Sequence, residues 1–396
     1  MDDMTRHLVV CTDGTWNRPD QRDRERIVPS NVVKMARAVA GRTAADIPQL
    51  VYYDTGIGTG GWWDRYKGGA FGVGLSDNIK QAYTALGYEF RPGDKLFLFG
   101  FSRGAYTARS LAGLIGLCGI PDPKKGTPEE ATEQAFKIYR SKKRHGDAEK
   151  HCKKFSHTKG IIRKTPDNAI HFIGVWDTVG ALGIPVGWLR WIGRSRFGFH
   201  DVTLGNHITH AYHALAIDER RRPFTPTLWL TKNIAPQVEQ VWFPGVHTNI
   251  GGGYVDAGLS DRAFLWMCLK AREAGLGFKA DYMNLRVIPN YHGELRNSNR
   301  GGYRLLPPRT RAIGDMRKAK AAGEAIHYSA KERFEHATEA VYRQGHAKKN
   351  LGPALNNASK GGSPAVTRPL HGEKDFHSRL GEKFWNDGGG SPQLFR

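Results

Sequence analysis

The sequence is short of cysteine, of long apolar runs and of acidic residues, and the first two shortages each exclude a class of protein. Four cysteines are scattered over 396 residues without a Cys-x-x-Cys pair, which excludes a disulfide framework or a zinc ribbon as the basis of the fold. The longest mainly apolar run, Ser110 to Pro121, is too short to span a bilayer. From the scattered cysteines we expect reduced thiols, and because 39% of the residues are hydrophobic we expect an ample apolar core.

The first residues lack the features of a secretory signal. Met1–His7 has no basic segment, and no long apolar core follows it, whereas such a signal requires both. We therefore expect the protein in the cytoplasm of the producing cell, or exported by a route that needs no such signal.

Acidic residues are outnumbered by basic ones. The sequence has 59 Lys/Arg and 38 Asp/Glu, a formal net charge of +21. The excess is concentrated between Lys124 and Lys164, where 13 Lys/Arg stand against 5 Asp/Glu. This balance favours an anionic partner, either a membrane surface or nucleic acid, whereas the plainer interpretation is a solvated face.

Short apolar runs closed by turn residues alternate with amphipathic helical patterns. Strands that alternate with helices predict a mostly parallel sheet covered on both faces, and hence a three-layer α/β fold. The predicted strands are His7–Cys11, Leu50–Tyr53, Lys95–Phe101, Ile170–Trp176 and Val238–Phe243. The predicted helices are one capped by Ser30, then Asn78–Phe90, Ala105–Cys118, Leu204–Ile217, and Arg262–Ala274 capped by Ser260.

Two regions fall outside this alternation. Residues 124–164 predict a basic helical insertion between strands, and residues 280–357 a C-terminal cap or extension with a helix over Ser329–Tyr342. We expect residues 1–357 to form one domain. Residues 358–396 are rich in Gly, Ser and Pro, a composition that predicts a flexible tail.

The motif with the most chemical content is Gly100-Phe101-Ser102-Arg103-Gly104, a G-x-S-x-G sequence. It follows a predicted strand and opens a predicted helix, which is the setting of the nucleophile elbow of α/β-hydrolases. The two glycines allow a tight turn that presents the Ser102 hydroxyl above the sheet. The helix N-terminus adds backbone N–H groups that can bind a developing oxyanion. We therefore predict that Ser102 is a nucleophile.

A serine nucleophile needs a general base and a group that orients the base. Asp177 follows the strand Ile170–Trp176, and His247 follows the strand Val238–Phe243, so both stand where parallel strands deliver active-site loops. The order Ser, Asp, His is that of α/β-hydrolases. We predict Asp177 as the orienting acid and His247 as the base. The alternatives are a capping carboxylate and a hydrogen-bonded loop histidine.

Two backbone N–H groups are predicted to form an oxyanion hole. One belongs to Arg103, the residue after the nucleophile, and the other to Gly14 in the loop Thr12–Asn17 after the first strand. Gly14 permits close approach of the backbone, and Asp13 can order the turn with its own side chain. The alternative for this loop is an ordinary Asp-Gly turn.

Three further patterns are less specific. Gly56–Gly61 satisfies G-x-G-x-x-G, but no helix follows it directly, which favours an active-site rim over a nucleotide site. His207, His210 and His213 recur every third residue of a predicted helix and spread too widely for one metal, so we expect neither metal nor cofactor. Gly187–Arg194 interleaves Trp and Arg, which suits either a membrane interface or a lid over the pocket.

Six stretches, in order along the chain, carry a family resemblance. They are Leu8–Asn17, Tyr53–Gly58, Gly100–Ala112, Val175–Gly180, His213–Glu219 and Phe243–Tyr254. Together they resemble the DUF2235 family, the catalytic domain of Tle1-like phospholipase effectors of type VI secretion, over roughly residues 7 to 355. The resemblance places the family's triad on Ser102, Asp177 and His247. It implies ester hydrolysis of phospholipids at the sn-1 or sn-2 position.

The resulting hypothesis is a serine hydrolase of carboxylic esters, foremost a phospholipase of the A type. One alternative is a soluble esterase or acyltransferase that acts on other substrates. An alternative from another class is a non-catalytic protein that holds an anionic surface or nucleic acid by charge, which the complete Ser, Asp and His set disfavours. The expected partners are a phospholipid or acyl ester and an anionic membrane. The sequence names no immunity or delivery partner.

Overall fold

A parallel nine-stranded sheet forms the centre of the protein. The computed structural model describes residues 5–14, 19–55, 70–141, 145–157, 170–179, 204–205, 207–230, 237–314, 323–336, 342, 347–371, 373, 385 and 390–395. The strands are β1 His7–Thr12, β2 Arg22–Asp23, β3 Arg26–Ile27, β4 Gln49–Asp54, β5 Lys95–Phe101, β6 Ile170–Trp176, β7 Ile208–Ala216, β8 Gln237–Phe243, β9 Glu324–Ile326, β10 Ala365–Val366 and β11 Gln393–Leu394. In the large sheet the order is β10-β9-β8-β7-β6-β5-β1-β4-β11, while β2 and β3 pair separately and antiparallel.

Helices cover both faces of the sheet. They are α1 Asn31–Ala38, α2 Ala70–Glu89, α3 Arg103–Cys118, α4 Pro128–Arg140, α5 His145–Cys152, α6 His247–Gly251, α7 Gly258–Glu273, α8 Ala280–Arg286, α9 Tyr328–His336 and α10 Ala347–Ser359. Buried side chains of α2, α3, α4 and α5 form one apolar cluster with the sheet. Those of α1, α7 and α8 form a second cluster, and α9 and α10 pack with β8 and β9 in a third. The predicted three-layer α/β-hydrolase fold with a mostly parallel sheet is confirmed.

The alternation of side chains along β1 explains the layers. Leu8 and Val10 lie in the cluster with α2 and α3, whereas Val9 and Cys11 lie in the cluster with α1 and α7. All four are buried, because a parallel strand covered on both faces needs apolar side chains at every position. The continuous apolar run His7–Cys11 was therefore a correct signal for this strand.

Two predicted helix caps had different outcomes. Ser30 caps α1, since its Oγ accepts a hydrogen bond from the N–H of Val33 at 3.1 Å. Ser260 does not cap α7, which begins at Gly258 after the cap residue Ala257. The Ser260 hydroxyl instead donates to the carbonyl of Ala257 at 2.9 Å.

The predicted helix Leu204–Ile217 is wrong, because Ile208–Ala216 forms strand β7 between β6 and β8. Ala211, Ala214, Leu215 and Ala216 favour a helix by intrinsic propensity. All four are buried, and pairing with two neighbouring strands outweighs that local preference. With both faces covered, most of the strand shows no polar alternation that could have marked it in the sequence.

The described residues of the segment 358–396, predicted as a flexible tail, are anchored to the domain. Strands β10 and β11 belong to this segment and pair with β9 and β4. Trp385 is fully buried against Phe278, and the Glu373 carboxylate lies 2.7 Å from the Nε2 of His327 in the interior. A few large or charged side chains thus fix the described part of a segment whose average composition resembles that of a linker.

Helices α4 and α5 belong to the segment 124–164 predicted as a basic insertion. Cys118 at the end of α3 and Cys152 at the end of α5 bring their sulfur atoms to 2.6 Å, and both residues are buried. Lys150, Lys153 and Lys154 are exposed nearby along the chain.

Among the described residues, no helix combines the length and the hydropathy that crossing a bilayer requires.

The carboxyl ends of the central strands converge on one edge of the sheet. Strand β1 lies between β4 and β5, so the strand order reverses there, which is where open α/β sheets bind their ligands. Gly14 follows β1, Ser102 follows β5, Asp177 follows β6 and His247 follows β8. The topology therefore collects the residues singled out in the sequence at this edge.

Candidate active site

Ser102 occupies a sharp turn between β5 and α3. Its backbone φ of 58° lies in the left-handed region, and its N–H donates to the carbonyl of Trp176 at 3.0 Å. A Cβ at Gly100 would lie 2.5 Å from the carbonyl oxygen of Gly104, and a Cβ at Gly104 would lie 2.1 Å from that of Thr12. Only glycine fits both places, so the spacing G-x-S-x-G is a steric requirement of this turn.

Ser102, His247 and Asp177 form one hydrogen-bonded chain. The Nε2 of His247 lies 2.8 Å from the Oγ of Ser102, and its Nδ1 lies 2.6 Å from the Oδ2 of Asp177. His247 is the first residue of α6, and Asp177 has a φ of 40° directly after β6. Asp177 is inaccessible to solvent, while Ser102 is 9% exposed. The arrangement can remove a proton from the serine hydroxyl and stabilise the imidazolium that results.

The carboxylate of Asp177 has a second side-chain partner, the cationic Arg311. The Nη1 of Arg311 donates to Oδ1 at 2.6 Å, and its Nη2 donates to Oδ2 at 2.9 Å. The N–H of Ala216 also donates to Oδ1, at 3.0 Å. Burial alone would raise the pKa of Asp177, but the charge of Arg311 and the hydrogen bond from His247 hold that pKa below its ordinary range. Asp177 is therefore ionised at neutral pH.

The imidazole of His247 is enclosed by aromatic rings. Phe101 lies with its ring centroid 4.6 Å away, and Phe224 packs edge-on at 4.9 Å. Burial lowers the pKa of His247 below its ordinary value, while the hydrogen bond and charge of Asp177 act in the opposite direction. The ring is thus neutral at neutral pH, which is the state a general base requires.

The loop after β1 orders itself through Asp13. The N–H of Gly14 donates to the Oδ1 of Asp13 at 2.7 Å, while Oδ2 accepts from the hydroxyls of Ser30 and Tyr53 at 2.5 and 3.0 Å. The predicted ordering role of Asp13 is confirmed. The same bond occupies the Gly14 N–H, which was predicted to serve an oxyanion. The N–H of Arg103 stands at the first position of α3, where helix amides have no acceptor within the helix.

A buried carboxylate supports the loop that carries His247. The Oε2 of Glu219 accepts from the N–H of His247 at 3.2 Å and from the Nη2 of Arg221 at 2.9 Å. Its Oε1 accepts from the hydroxyl of Ser298 at 2.8 Å and from the Nε of Arg221 at 3.0 Å. Burial would raise the pKa of Glu219, but the hydrogen bond and charge of Arg221 lower it to about 2.

Other candidates from the sequence lie elsewhere. His213 is buried, with its Nε2 accepting from the N–H of Thr178 at 3.1 Å, and burial lowers its pKa to about 3. His207 and His210 bond to other parts of the chain, and no group of three His, Cys, Asp or Glu among the described residues is arranged to hold a metal ion. Gly56–Gly61 and Gly187–Arg194 lie outside the described residues.

Three site residues were missed by the sequence analysis: Glu219, Arg221 and Arg311. Glu219 lies just after β7, the same kind of position that marked Asp177, but the incorrect helix prediction for this segment hid it. Arg311 lies 134 residues after Asp177 in an irregular segment, where no periodic signal exists.

The sequence is similar to known proteins over part of its length. The sequence profile of the catalytic domain of Tle1-like phospholipase effectors of type VI secretion matches residues 6–270. An uncharacterized protein of Saccharomyces cerevisiae is 29% identical over 241 residues, which cover 55% of this chain and 32% of the yeast protein. The chain thus spans about a third of the length of this relative.

Two solved structures are similar over part of their length. An uncharacterized protein from Pseudomonas aeruginosa has a TM-score of 0.43 at 18% identity, covering 69% of this chain and 46% of that one. The Tle1 effector bound to the VgrG spike of the type 6 secretion system has a TM-score of 0.35 at 19% identity, covering 64% of this chain and 52% of the effector.

Proposed function

The chain belongs to the family of Tle1-like catalytic domains of type VI secretion phospholipase effectors, and we propose that it hydrolyses carboxylic esters of phospholipids. The observation that carries the proposal is the chain of hydrogen bonds from Ser102 through His247 to Asp177, with distances of 2.8 and 2.6 Å. Ser102 is the nucleophile, His247 the general base and Asp177 the acid that orients it.

The reaction has two halves. The Nε2 of His247 takes the hydroxyl proton as the Oγ of Ser102 attacks the ester carbonyl, and the same proton then passes to the departing alcohol. Water, activated by His247, releases the acyl group from Ser102. Asp177 remains ionised throughout, because Arg311 and His247 both stabilise its charge.

The tetrahedral oxyanion needs backbone donors. The N–H of Arg103 supplies one, as the residue after the nucleophile at the start of α3. We propose Gly14 as the second donor. Its N–H donates to the Oδ1 of Asp13 at 2.7 Å, so this hydrogen bond must break before the N–H can bind the oxyanion. Rotation of the Asp13 side chain would therefore accompany substrate binding.

The basic surface supports action at an anionic membrane. Lys150, Lys153 and Lys154 are exposed, and each cation near an anionic bilayer contributes about 1 kcal/mol to binding. This favours a lipid substrate over a soluble ester. Type VI secretion, the route that the family name carries, is the delivery route that we propose, and it needs no secretory signal.

Labelling and a lipid panel test the proposal. A fluorophosphonate should label the wild-type protein covalently at Ser102 and should not label Ser102→Ala. The wild-type protein should release fatty acid from phospholipid vesicles faster than from triacylglycerol, and Ser102→Ala should release none from either. Substantial hydrolysis by purified Ser102→Ala would disprove the assignment of the nucleophile. Cleavage of short soluble esters without any cleavage of phospholipid would favour the esterase alternative.

A further inference from the structure

A guanidinium is held rigidly beside the imidazole of His247. The Nε of Arg221 donates to the Oε1 of Glu219 at 3.0 Å, and its Nη2 donates to the Oε2 of Glu219 at 2.9 Å. One face of the guanidinium lies 3.5 Å from the ring centroid of Phe224, and the ring of Tyr303 is 5.3 Å away. Since Glu219 is buried and the two rings contact each other edge-on, Arg221 has little freedom to move.

The same residues join Arg221 to the catalytic base. Glu219 accepts a hydrogen bond from the N–H of His247 as well as from Arg221. Phe224 contacts both side chains, since the guanidinium of Arg221 lies over its ring and the imidazole of His247 packs edge-on to it at 4.9 Å. Arg221 is therefore one aromatic ring away from the atom that takes the serine proton.

The guanidinium has donors beyond those that Glu219 occupies. A guanidinium carries five N–H groups in a planar fork. Among the described residues, the side-chain hydrogen bonds of Arg221 use only Nε and Nη2, and its side chain is 15% exposed. The edge formed by Nη1 and the second hydrogen of Nη2 is thus suited to another bidentate acceptor, and phosphate oxygens match this geometry.

We propose that Arg221 forms a subsite for the phosphodiester group of the substrate. This inference rests on the proposed function, because it places the ester carbonyl of a glycerophospholipid at Ser102. Only the glycerol carbons separate that ester from the phosphate, so the phosphate falls on the rim where Arg221 stands. The subsite selects phospholipids over neutral glycerides, which have the same esters and no phosphate.

The test compares substrates that differ only in the phosphocholine headgroup. Arg221→Gln is measured with phosphatidylcholine and with diacylglycerol of the same acyl chains, both in detergent micelles. Loss of a charge-assisted hydrogen bond should lower kcat/KM for the phospholipid about ten-fold more than for the diacylglycerol, mainly through KM. Arg221→Lys should recover part of this selectivity. Arg222→Gln, an exposed neighbour, is the matched control and should keep the wild-type ratio.

Two results would overturn the subsite. An equal loss on both lipids would mean that Arg221 serves only to hold Glu219 and His247, and an unchanged ratio would remove it from recognition altogether. Dibutyl phosphate provides a readout that does not depend on phospholipid cleavage. It should inhibit hydrolysis of a soluble ester by the wild-type protein and inhibit Arg221→Gln several-fold less. If the wild type cleaves no phospholipid but shows this difference, the proposed substrate fails while the anion subsite stands.

Discussion

Arg311 holds the carboxylate of Asp177 with two hydrogen bonds, one to each oxygen, of 2.6 and 2.9 Å. Arg311 also donates to the backbone carbonyls of Ala216 and Phe224, which fixes the guanidinium from both sides. It lies outside residues 6–270, the part of the chain that the family profile matches. The segment predicted as a C-terminal extension therefore supplies a contact to the candidate active site.

Replacement of Arg311 should damage both stability and activity. Arg311→Met leaves the buried charge of Asp177 without its strongest partner, and breaking a buried pair costs about 3–5 kcal/mol. We expect a lower urea midpoint and a large loss of kcat. Arg311→Lys should retain part of both, because one cationic contact remains.

Arg309→Met is the control for Arg311→Met, since the side chain of Arg309 is exposed two residues away. It should leave the urea midpoint and kcat at their wild-type values. Full activity in a folded Arg311→Met protein would show that Asp177 needs no second partner.

Substitutions within the hydrogen-bonded chain should not be additive. Ser102→Ala and His247→Ala should each reduce kcat by several orders of magnitude, and the double variant should be little worse, because these groups act as one unit. Asp177→Asn should be equally or less damaging. Steady-state rates on a soluble ester, with circular dichroism to verify folding, measure these effects. Losses that multiply in the double variant would contradict a common mechanism.

The pH dependence should follow His247. Only its neutral form can accept a proton, and burial lowers its pKa below the ordinary value of 6.5. Therefore kcat/KM should rise with pH through a midpoint below 6.5 and stay level above it. Soluble-ester hydrolysis followed over about pH 4.5 to 8 measures this midpoint. A midpoint above 6.5 would contradict the inference.

Protonation of Glu219 should destabilise the fold at acidic pH. Its pKa is lowered from an ordinary 4.5 to about 2, so the stability it contributes is present above 4.5 and is lost as pH falls toward 2. Circular dichroism at each pH separates this loss from the titration of His247.

Oxidation should join Cys118 and Cys152. Their sulfur atoms are 2.6 Å apart at the ends of two packed helices, although 34 residues separate them along the chain. With oxidised glutathione present during refolding, the two thiols lose two protons and two electrons to form one disulfide, and two glutathione thiols are released. Closing a loop of this length should stabilise the protein by about 2–4 kcal/mol.

Peptide mapping without reductant detects the Cys118–Cys152 crosslink. Cys11 and Cys268 are buried elsewhere and should remain thiols. Cys118→Ser should abolish the gain in melting temperature on oxidation. Four free thiols after refolding in oxidised glutathione would contradict this prediction.

The exposed lysines of the basic segment should govern attachment to membranes. Lys142 and Lys143 belong to the same basic segment but lie outside the described residues. The test therefore uses Lys150, Lys153 and Lys154. Reversal of all three to Glu should weaken co-sedimentation with anionic vesicles and leave hydrolysis of a short soluble ester unchanged. Salt should weaken wild-type binding in the same way, because it screens exposed charges.

Charge reversal at another place controls for net charge. Lys348, Lys349 and Lys360 are also exposed, at or just beyond the ends of α10. Their reversal to Glu should reduce vesicle binding less. Equal binding of the wild-type protein to neutral and anionic vesicles would exclude electrostatic recruitment, and a salt-sensitive gel shift would support the nucleic-acid alternative instead.

The sequence was most informative where local structure and chemistry coincide. The position of Ser102 at the candidate site could be predicted because a buried strand, two glycines and a helix surround it within a few residues. Asp177 and His247 could be predicted because they follow strands with clear apolar runs. Strand β7 could not, since Ala and Leu favour a helix and only its neighbours in the sheet impose the extended form.

Contacts between distant segments had no such signal. Arg311 reaches Asp177 from an irregular segment, and Trp385 is buried from within a segment of linker-like composition. In both cases the packing of the whole domain determines which distant residue the side chain contacts. Composition describes only the average environment of a segment, so it missed the anchoring side chains.

The left-handed backbone of Ser102 opposes catalysis to stability. A non-glycine residue at a φ of 58° costs on the order of 1–3 kcal/mol, and glycine would relieve that cost. The serine side chain that the reaction requires is therefore one that the turn alone would not favour. A library selected only for thermostability should accumulate Gly at position 102 and lose activity, so directed evolution of this protein must select for turnover together with melting temperature.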